Sequence, residues 1–263
     1  MKKIKLTVML ILTSSMLVSA QEFEYNRVVA HRGAWKADKL PENSLASFKR
    51  AIELGCAGSE FDVYLTADSV LVLNHDTKFQ GLPVEKSTLA QLTQKKLSNG
   101  ETIALLDDIL KILTSQQNTI AFLEIKPSAV GKEHGFAAVD KILEAVERYN
   151  AEELVTYISF DYSYLQRIKE KRPGARTAFL GETKDVKNIV LDRKFGIDLN
   201  YKALKDNSEL IKAAKLKGVS INVWTVNDPK DMKYFLEQNI DYITTDEPIL
   251  LLKLDKEHIE NLK

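Results

Sequence analysis

The sequence predicts a single α/β domain built as a (β/α)8 barrel, the TIM-barrel fold, and two observations lead to this fold class. Apolar segments of strand length recur along the chain, and between them lie segments with the periodicity of amphipathic helices. Alternation of this kind produces parallel β/α units. Eight such units in about 243 residues fit a closed barrel, and a doubly wound open sheet is the competing architecture.

The predicted strands and helices alternate from one end of the domain to the other. The strands occupy residues 27–30, 59–66, 119–125, 154–159, 176–180, 195–199, 219–226 and 242–245. The helices occupy residues 44–55, 105–113, 136–149, 162–171, 208–217 and 229–238. In the first helix Leu45, Phe48 and Ile52 share one face, and Gly55 marks its end. The segment 184–193 fits least well, because the helix after the fifth strand would be short.

Residues 1–20 carry the pattern of a signal peptide. Three lysines precede an apolar run over residues 6–12, and Val18-Ser19-Ala20 supplies the small residues that a signal peptidase accepts. The run is too short to cross a bilayer, so we expect cleavage; a retained membrane anchor is the alternative. We therefore predict an exported protein, periplasmic or secreted, with one domain over residues 21–263 and no stable insertion in a membrane.

The charge balance narrows the class of partner. The chain has 37 Lys and Arg residues against 37 Asp and Glu residues, and a general nucleic-acid binder needs a basic surplus. Without residues 1–20 the balance becomes 34 basic to 37 acidic residues. The single cysteine, Cys56, excludes an intramolecular disulfide and a zinc site built on several thiolates. The composition thus favours a small-molecule partner over nucleic acid.

Side chains able to do chemistry follow the apolar segments of the predicted strands. In a (β/α)8 barrel the carboxyl ends of the strands form the mouth where active sites lie. The candidates are His31 and Arg32 after the first strand, Glu60 and Asp62 in the second, His75 after the apolar segment 71–74, Glu124 and Lys126 at the end of the third, and Trp224 near the end of the seventh. We expect these eight residues to converge on one mouth.

Three of these residues are acids whose mutual repulsion needs compensation. Glu60 and Asp62 are two residues apart and therefore share one face of their strand, and Glu124 ends the next predicted strand. A bound cation relieves the repulsion, and an all-oxygen ligand set favours a hard ion, Ca²⁺ or Mg²⁺, over zinc. Such an ion beside Arg32 and Lys126 makes a pocket suited to a phosphate or a phosphodiester.

Taken one at a time, these residues are more typical of structural roles. A histidine at a strand end usually makes a structural hydrogen bond, and a Glu-x-Asp pair usually faces solvent. Their combination favours catalysis. His31 and His75 would divide the proton transfers of phosphodiester cleavage, one taking a proton from the nucleophile and the other protonating the leaving alcohol. The residues alone leave open which histidine has which role.

Short motifs also occur in a distinctive order along the chain. They are His31-Arg32-Gly33, Pro41-Glu42-Asn43-Ser44, Glu60-x-Asp62-Val63, Thr66-x-Asp68, His75-Asp76, Glu124-Ile125-Lys126, Ser159-Phe160, Val223-Trp224-Thr225-Val226-Asn227 and Thr244-Thr245-Asp246-Glu247-Pro248. With these spacings the set resembles the glycerophosphodiester phosphodiesterase (GDPD) family over essentially the whole chain after residue 20. The resemblance implies a TIM-barrel enzyme that hydrolyses glycerophosphodiesters to an alcohol and sn-glycerol 3-phosphate.

The resemblance also implies individual roles. In that family the positions that match Glu60, Asp62 and Glu124 hold a metal ion, commonly Ca²⁺ or Mg²⁺. The positions that match His31 and His75 act as general base and general acid. The positions that match Arg32 and Lys126 contact the phosphate. The position that matches Trp224 holds an aromatic residue that forms a wall on the glycerol side.

Two other functions fit the same barrel. A phospholipase of the phosphatidylinositol type would need apolar surface near the mouth, for which Phe79 and Leu82 are the candidates. A binding module on a catalytically dead barrel would be favoured by loss of a histidine or a ligand, and none is lost. Departures from the family pattern, such as Ser69 in place of a turn glycine, leave the headgroup preference open.

The motif Pro41-Glu42-Asn43-Ser44 is interpreted as the start of the first helix. Either Asn43 or Ser44 is expected to be its N-cap, rather than a ligand contact. Asp76 either orients a neighbouring side chain or takes part in a turn, and it is left outside the catalytic set.

Overall fold

The structure, a computed structural model, describes residues 26–181 and 195–262. Its strands are β1 Val28–Ala30, β2 Gly58–Leu65, β3 Leu71–Leu73, β4 Lys78–Phe79, β5 Leu82–Pro83, β6 Ile120–Ile125, β7 Val155–Ser159, β8 Arg176–Gly181, β9 Gly196–Asn200, β10 Ile221–Trp224 and β11 Tyr242–Thr245. Its helices are α1 Leu45–Glu53, α2 Leu89–Leu92, α3 Leu106–Leu113, α4 Lys132–Arg148, α5 Tyr162–Lys171, α6 Tyr201–Lys205, α7 Ser208–Leu216, α8 Pro229–Glu237 and α9 Pro248–Glu260. The predicted signal peptide, 1–20, and the segment 184–193 lie outside these residues.

Eight parallel strands close into a barrel. Their order around the wall is β1, β11, β10, β9, β8, β7, β6 and β2, and β1 also pairs with β2, which completes the circle. In the described residues, helices lie in the connections between successive barrel strands, as a parallel sheet requires; the connection from β8 to β9 lies mostly outside those residues. The prediction of a (β/α)8 barrel is confirmed, and the open doubly wound sheet is wrong because this sheet has no free edge at β1.

The long strand β2 organises the catalytic end of the barrel. All eight of its residues are buried, which excludes the reading of Glu60 and Asp62 as a solvent-facing pair. Parallel pairing with β6 places Asp62 directly beside Glu124. The side chains of adjacent strands in register lie close together on the same face. The β2–β6 register therefore creates the acidic cluster.

The strand before His75 runs in the direction opposite to the one expected. We treated the segment 71–74 as ending at the barrel mouth like its neighbours, but β3 pairs antiparallel with β2, with Val63 opposite Leu73. A tight turn joins the two strands, in which Ser69 adopts φ 63° in the position where glycine is usual. Because β2 extends past the mouth, the returning β3 still delivers His75 to the site.

Six of the described helices match the predicted ones, and three others, α2, α6 and α9, were not predicted. Ser44 is the N-cap of α1, and its hydroxyl accepts a hydrogen bond from the Ser47 main-chain N–H in a capping box. We predicted either Asn43 or Ser44 as the N-cap of this helix, and the structure shows that it is Ser44. The unpredicted helix α9 begins at Pro248, where proline at the first turn lacks an N–H that would have no partner in any case.

Apolar packing occurs on both sides of the barrel wall. A small cluster that includes Val29, Phe122 and Ile158 fills the interior, and a much larger one packs the outer face of the strands against the helices. Of the described helices, none has the length and apolar character needed to span a membrane.

The turn after β1 depends on Gly33. Its φ is 82°, a left-handed conformation that side chains rarely adopt, and a Cβ there would lie 2.4 Å from Ser47 Oγ and 2.6 Å from the Ser47 carbonyl carbon. Gly55 also has a positive φ, 73°, but no described atom would lie within 4 Å of its Cβ. A side chain at either glycine would strain the backbone, but only at Gly33 would it also clash with neighbouring atoms.

We expect Gly33→Ala to destabilise the fold by about 3 kcal/mol or more, because strain and overpacking both apply. Gly55→Ala is the matched control, and strain alone should cost about 1 kcal/mol. Urea unfolding followed by circular dichroism measures both. Equal losses in the two variants would show that Ser47 does not constrain the turn.

Candidate active site

The predicted site residues gather at one pocket of about 130 Å³ at the carboxyl ends of the strands. Seven of the eight predicted residues line it: His31, Arg32, Glu60, His75, Glu124, Lys126 and Trp224. The eighth, Asp62, is buried against Glu60 and Glu124. The expected convergence on one mouth is therefore what the fold produces.

The acidic cluster consists of Glu60, Asp62 and Glu124. One carboxylate oxygen from each lies within 4.8 Å of the other two. The residues are 4%, 1% and 8% exposed, so water screens their repulsion little. Such an arrangement is unfavourable unless protons or a cation neutralise it.

The three carboxyl groups share their protons unequally. Burial, followed by repulsion from the neighbouring acids, raises the pKa of Glu60 well above its usual value. Burial and the charge of Asp62 raise the pKa of Glu124 to about 8. Burial also acts to raise the pKa of Asp62, but the charge of Lys126 and a hydrogen bond from Asn43 lower it below its usual value. Asp62 is thus the carboxylate that stays ionised.

The donor chemistry of the cluster fits a divalent cation. Glu60 Oε1 is buried, and no donor among the described residues forms a hydrogen bond with it. Carboxylate oxygens are the ligands that hard cations prefer. A divalent ion would satisfy this atom and offset the charge of all three acids.

Two contacts orient the acidic cluster. The main-chain N–H of Arg32 donates to Glu60 Oε2 at 2.9 Å. The Asn43 amide binds Asp62 twice, donating to Oδ2 at 2.8 Å and accepting from the Asp62 main-chain N–H at 3.0 Å. The sequence interpretation gave Asn43 a capping role and missed this one. Its place in the Pro41-Glu42-Asn43-Ser44 motif was the available signal.

Two cationic side chains lie beside the cluster. Lys126 Nζ is 2.8 Å from Glu124 Oε1 and 3.2 Å from Asp62 Oδ1. The Arg32 guanidinium donates through Nη1 to Glu42 Oε2 at 2.8 Å, while its Nε is 3.7 Å from Asp62 Oδ2. That Nε is buried and has no hydrogen-bond acceptor among the described residues. An anion in the pocket would therefore find unused donor capacity.

His31 is held by a carboxylate from the last strand of the barrel. Its Nδ1 lies 2.7 Å from Asp246 Oδ1, and Asp246 Oδ2 accepts from Asn227 Nδ2 at 2.7 Å. Burial acts to raise the pKa of Asp246, but the hydrogen bond and charge of His31 and the hydrogen bond from Asn227 together lower it below its usual value. Nε2 is 4.0 Å from Glu60 Oε2. The Asp246 contact, which the sequence interpretation did not assign, directs Nε2 at the acidic cluster.

His75 has a carboxylate partner as well. Its Nδ1 lies 2.8 Å from Asp76 Oδ1, and this pair is more exposed than the pair formed by His31. The Tyr64 hydroxyl donates to the His75 carbonyl oxygen at 3.4 Å. Asp76 was left outside the catalytic set, and its contact with the imidazole ring makes it a positioning residue.

The rest of the pocket is mainly apolar. Trp224 and Phe160 form an edge-to-face pair, with ring centroids 5.7 Å apart and planes at 85°. The Trp224 indole N–H donates to the main-chain oxygen of Asp198 at 3.1 Å, which anchors the ring. Ile158 and Leu180 also line this side of the pocket. The pocket thus has one charged half and one apolar half.

Comparisons with known proteins agree with this geometry. The model of the glycerophosphoryl diester phosphodiesterase family matches residues 31–250. A glycerophosphodiester phosphodiesterase of Caldanaerobacter subterraneus subsp. tengcongensis is 32% identical over 247 residues, covering 86% of this chain and 96% of that protein. One from Bacillus altitudinis is 28% identical, covering 88% and 98%.

A solved structure shows the same likeness in three dimensions. The crystal structure of a glycerophosphodiester phosphodiesterase from Parabacteroides distasonis superposes with a TM-score of 0.82 at 34% identity. The match covers 89% of this chain and 98% of the other. The chain therefore belongs to the glycerophosphoryl diester phosphodiesterase family.

Proposed function

We propose that this protein is an exported, metal-dependent phosphodiesterase that hydrolyses glycerophosphodiesters to an alcohol and sn-glycerol 3-phosphate. The observation that carries the proposal is one pocket containing a buried acidic cluster, two cationic side chains and two histidines that each contact a carboxylate. The relatives named above carry the same activity in their names.

The divalent cation is Ca²⁺ or Mg²⁺, held by Glu60, Asp62 and Glu124. When bound, it supplies charge stabilisation for the phosphoryl oxygens of the substrate. Arg32 and Lys126 bind the same oxygens, and the buried Arg32 Nε is the donor with capacity to spare. The phosphate would then lie in the pocket that His31 and His75 also line.

His31 is the general base. Its Nδ1 is occupied by Asp246, which fixes the tautomer with the proton on Nδ1 and leaves the Nε2 lone pair facing the pocket. Nε2 can then take the proton from the attacking oxygen. Asp246 in turn stabilises the imidazolium that forms.

His75 is the general acid. It comes from the more exposed β3 side of the pocket, where the leaving alcohol has room to depart. The Asp76 carboxylate contacts Nδ1 and holds the ring, so that the imidazole can donate a proton to the leaving oxygen. Trp224 and Phe160 supply an apolar surface for the carbon atoms of the substrate.

Metal dependence is tested by chelation and by Glu60→Gln. We expect chelation to abolish glycerol 3-phosphate release from glycerophosphocholine and added Ca²⁺ or Mg²⁺ to restore it. Glu60→Gln keeps the side-chain volume but removes one ligand charge, so activity should fall by about 10³-fold or more. The added ion should raise the melting temperature of the wild type and not of the variant.

Glu237→Gln, on the exposed end of α8, is the control that loses a carboxylate far from the pocket. Its activity and its stabilisation by metal should equal those of the wild type. Full turnover after complete chelation would contradict the metal assignment.

The roles of the two histidines are separated by the leaving group. His31→Ala and His75→Ala should each lower kcat for glycerophosphocholine by about 10²- to 10⁴-fold. A p-nitrophenyl diester of glycerol phosphate needs little protonation of its leaving group, so it should restore much of the rate of His75→Ala and none of the rate of His31→Ala. His258→Ala, on the last helix, is the control. The reverse pattern of rescue would exchange the two roles.

Export is tested by expressing the full chain in a bacterial host with a secretory pathway. We expect to find the protein in the periplasm or the medium, and its intact mass should be that of a chain that starts near Gln21. A Val18-Ser19-Ala20 site changed by Ala20→Tyr should block cleavage and leave the precursor with the membrane. An exported wild-type protein with the mass of the uncleaved chain would contradict the predicted signal peptide.

A further inference from the structure

The floor of the pocket contains a buried carboxyl group to which the proposed chemistry gives no role. Asp198 is 1% exposed and lies in β9, beside Leu180 of β8 and Asn222 of β10. It lines the same pocket as the two histidines, and its Oδ1 has no hydrogen-bond partner among the described residues. Burying a polar atom without a partner costs free energy, so this atom indicates a ligand group.

We propose that the Asp198 carboxyl group binds an alcohol hydroxyl of the substrate's glycerol moiety and makes the pocket selective for polyol phosphodiesters. This inference rests on the proposed function and names the group that recognises the non-reacting end of the substrate. It is separate from the acidic cluster, which does not include Asp198.

The surroundings of Asp198 suit a neutral hydroxyl better than an anion. Burial raises its pKa to about 7, and a hydrogen bond from Asn222 to the carboxyl group opposes the rise only in part. The carboxylate accepts a hydrogen bond from a hydroxyl, and the acid donates one to it. Phosphate would be repelled by the carboxylate, and its binding partners Arg32 and Lys126 belong to the charged half of the pocket.

The position of Asp198 selects the glycerol half of a diester. The alcohol that leaves differs between substrates and must extend towards the open mouth, whereas the glycerol half is constant and fits the closed floor. Ile158, Leu180 and Trp224 line the same pocket and supply apolar walls near the carboxyl group. The three carbon atoms of the glycerol moiety can pack against such walls, and its terminal hydroxyl then needs one polar partner.

Substitution of the Asp198 side chain leaves the Trp224 anchor in place. The indole N–H donates to the main-chain oxygen of Asp198 and not to its carboxyl group. A change in selectivity in a variant is therefore separable from loss of the tryptophan wall. Tryptophan fluorescence and the melting temperature report whether that wall and the fold are retained.

The test compares Asp198→Leu and Asp198→Asn with the wild type on two substrates. One is sn-glycero-3-phosphocholine; the other is the phosphocholine ester of 1,2-propanediol, which lacks only the terminal hydroxyl. We expect the wild type to prefer the first by about 10- to 100-fold in kcat/KM, Asp198→Leu to lose most of this preference, and Asp198→Asn to keep much of it because an amide also accepts and donates.

Asp161→Asn is the matched control, because Asp161 caps α5 next to the pocket and asparagine caps equally well. It removes a nearby negative charge without touching the floor, and the preference should stay at the wild-type value. Asp198→Asn also keeps the proposal testable if the leucine variant does not fold.

Three results would overturn the proposal. The first is an unchanged preference in Asp198→Leu, and the second is an equal loss on both substrates, which indicates a structural role. The third is a preference between choline and ethanolamine esters that depends on Asp198, which places the headgroup on the floor. A wild type that cleaves neither diester refutes the proposed function instead; calorimetry with sn-glycerol 3-phosphate and 1,2-propanediol phosphate then tests Asp198 by binding alone.

Discussion

Three buried carboxyl groups within 4.8 Å of one another are the constraint on which the rest of the site depends. Burial disfavours their ionised forms and repulsion between the like charges adds to the cost, which is why the pKa of Glu60 and of Glu124 is raised. Three groups contact these carboxyl groups: the Lys126 ammonium, the Asn43 amide and the main-chain N–H of Arg32. These contacts offset part of the repulsion and fix the oxygens in place, so a divalent cation could bind there without reorganising them.

The barrel creates this constraint through the register of two strands. Because β2 and β6 are parallel and adjacent, Asp62 and Glu124 lie side by side without any loop having to position them. Glu60 follows from the two-residue period of β2. The same strand extends beyond the mouth and turns back as β3, so it also delivers His75. One strand thus supplies two members of the acidic cluster and the route to His75.

The fold and most of the site were predictable because both depend on periodicity. Parallel strands end at a common edge, so side chains at strand ends meet there whatever the loops do. The direction of β3 was not predictable, since a short apolar segment does not encode the sense of its pairing. Partners such as Asp246 for His31, 215 residues away, also escaped assignment. A sequence pattern indicates which face of a strand is buried. It does not indicate which other side chains the residues on that face contact.

The balanced charge of the whole chain conceals the charge that governs binding. With all three carboxyl groups ionised, the acidic cluster together with Arg32 and Lys126 carries one net negative charge, and a divalent cation reverses this to one net positive charge. A phosphodiester carries one negative charge, so it is neutralised in the pocket. Without the ion, protons on Glu60 and Glu124 offset part of the same charge, because the pKa values of both groups are raised. A bound divalent cation would therefore favour entry of the substrate as well as its reaction, which would couple substrate binding to the burial of the three acids.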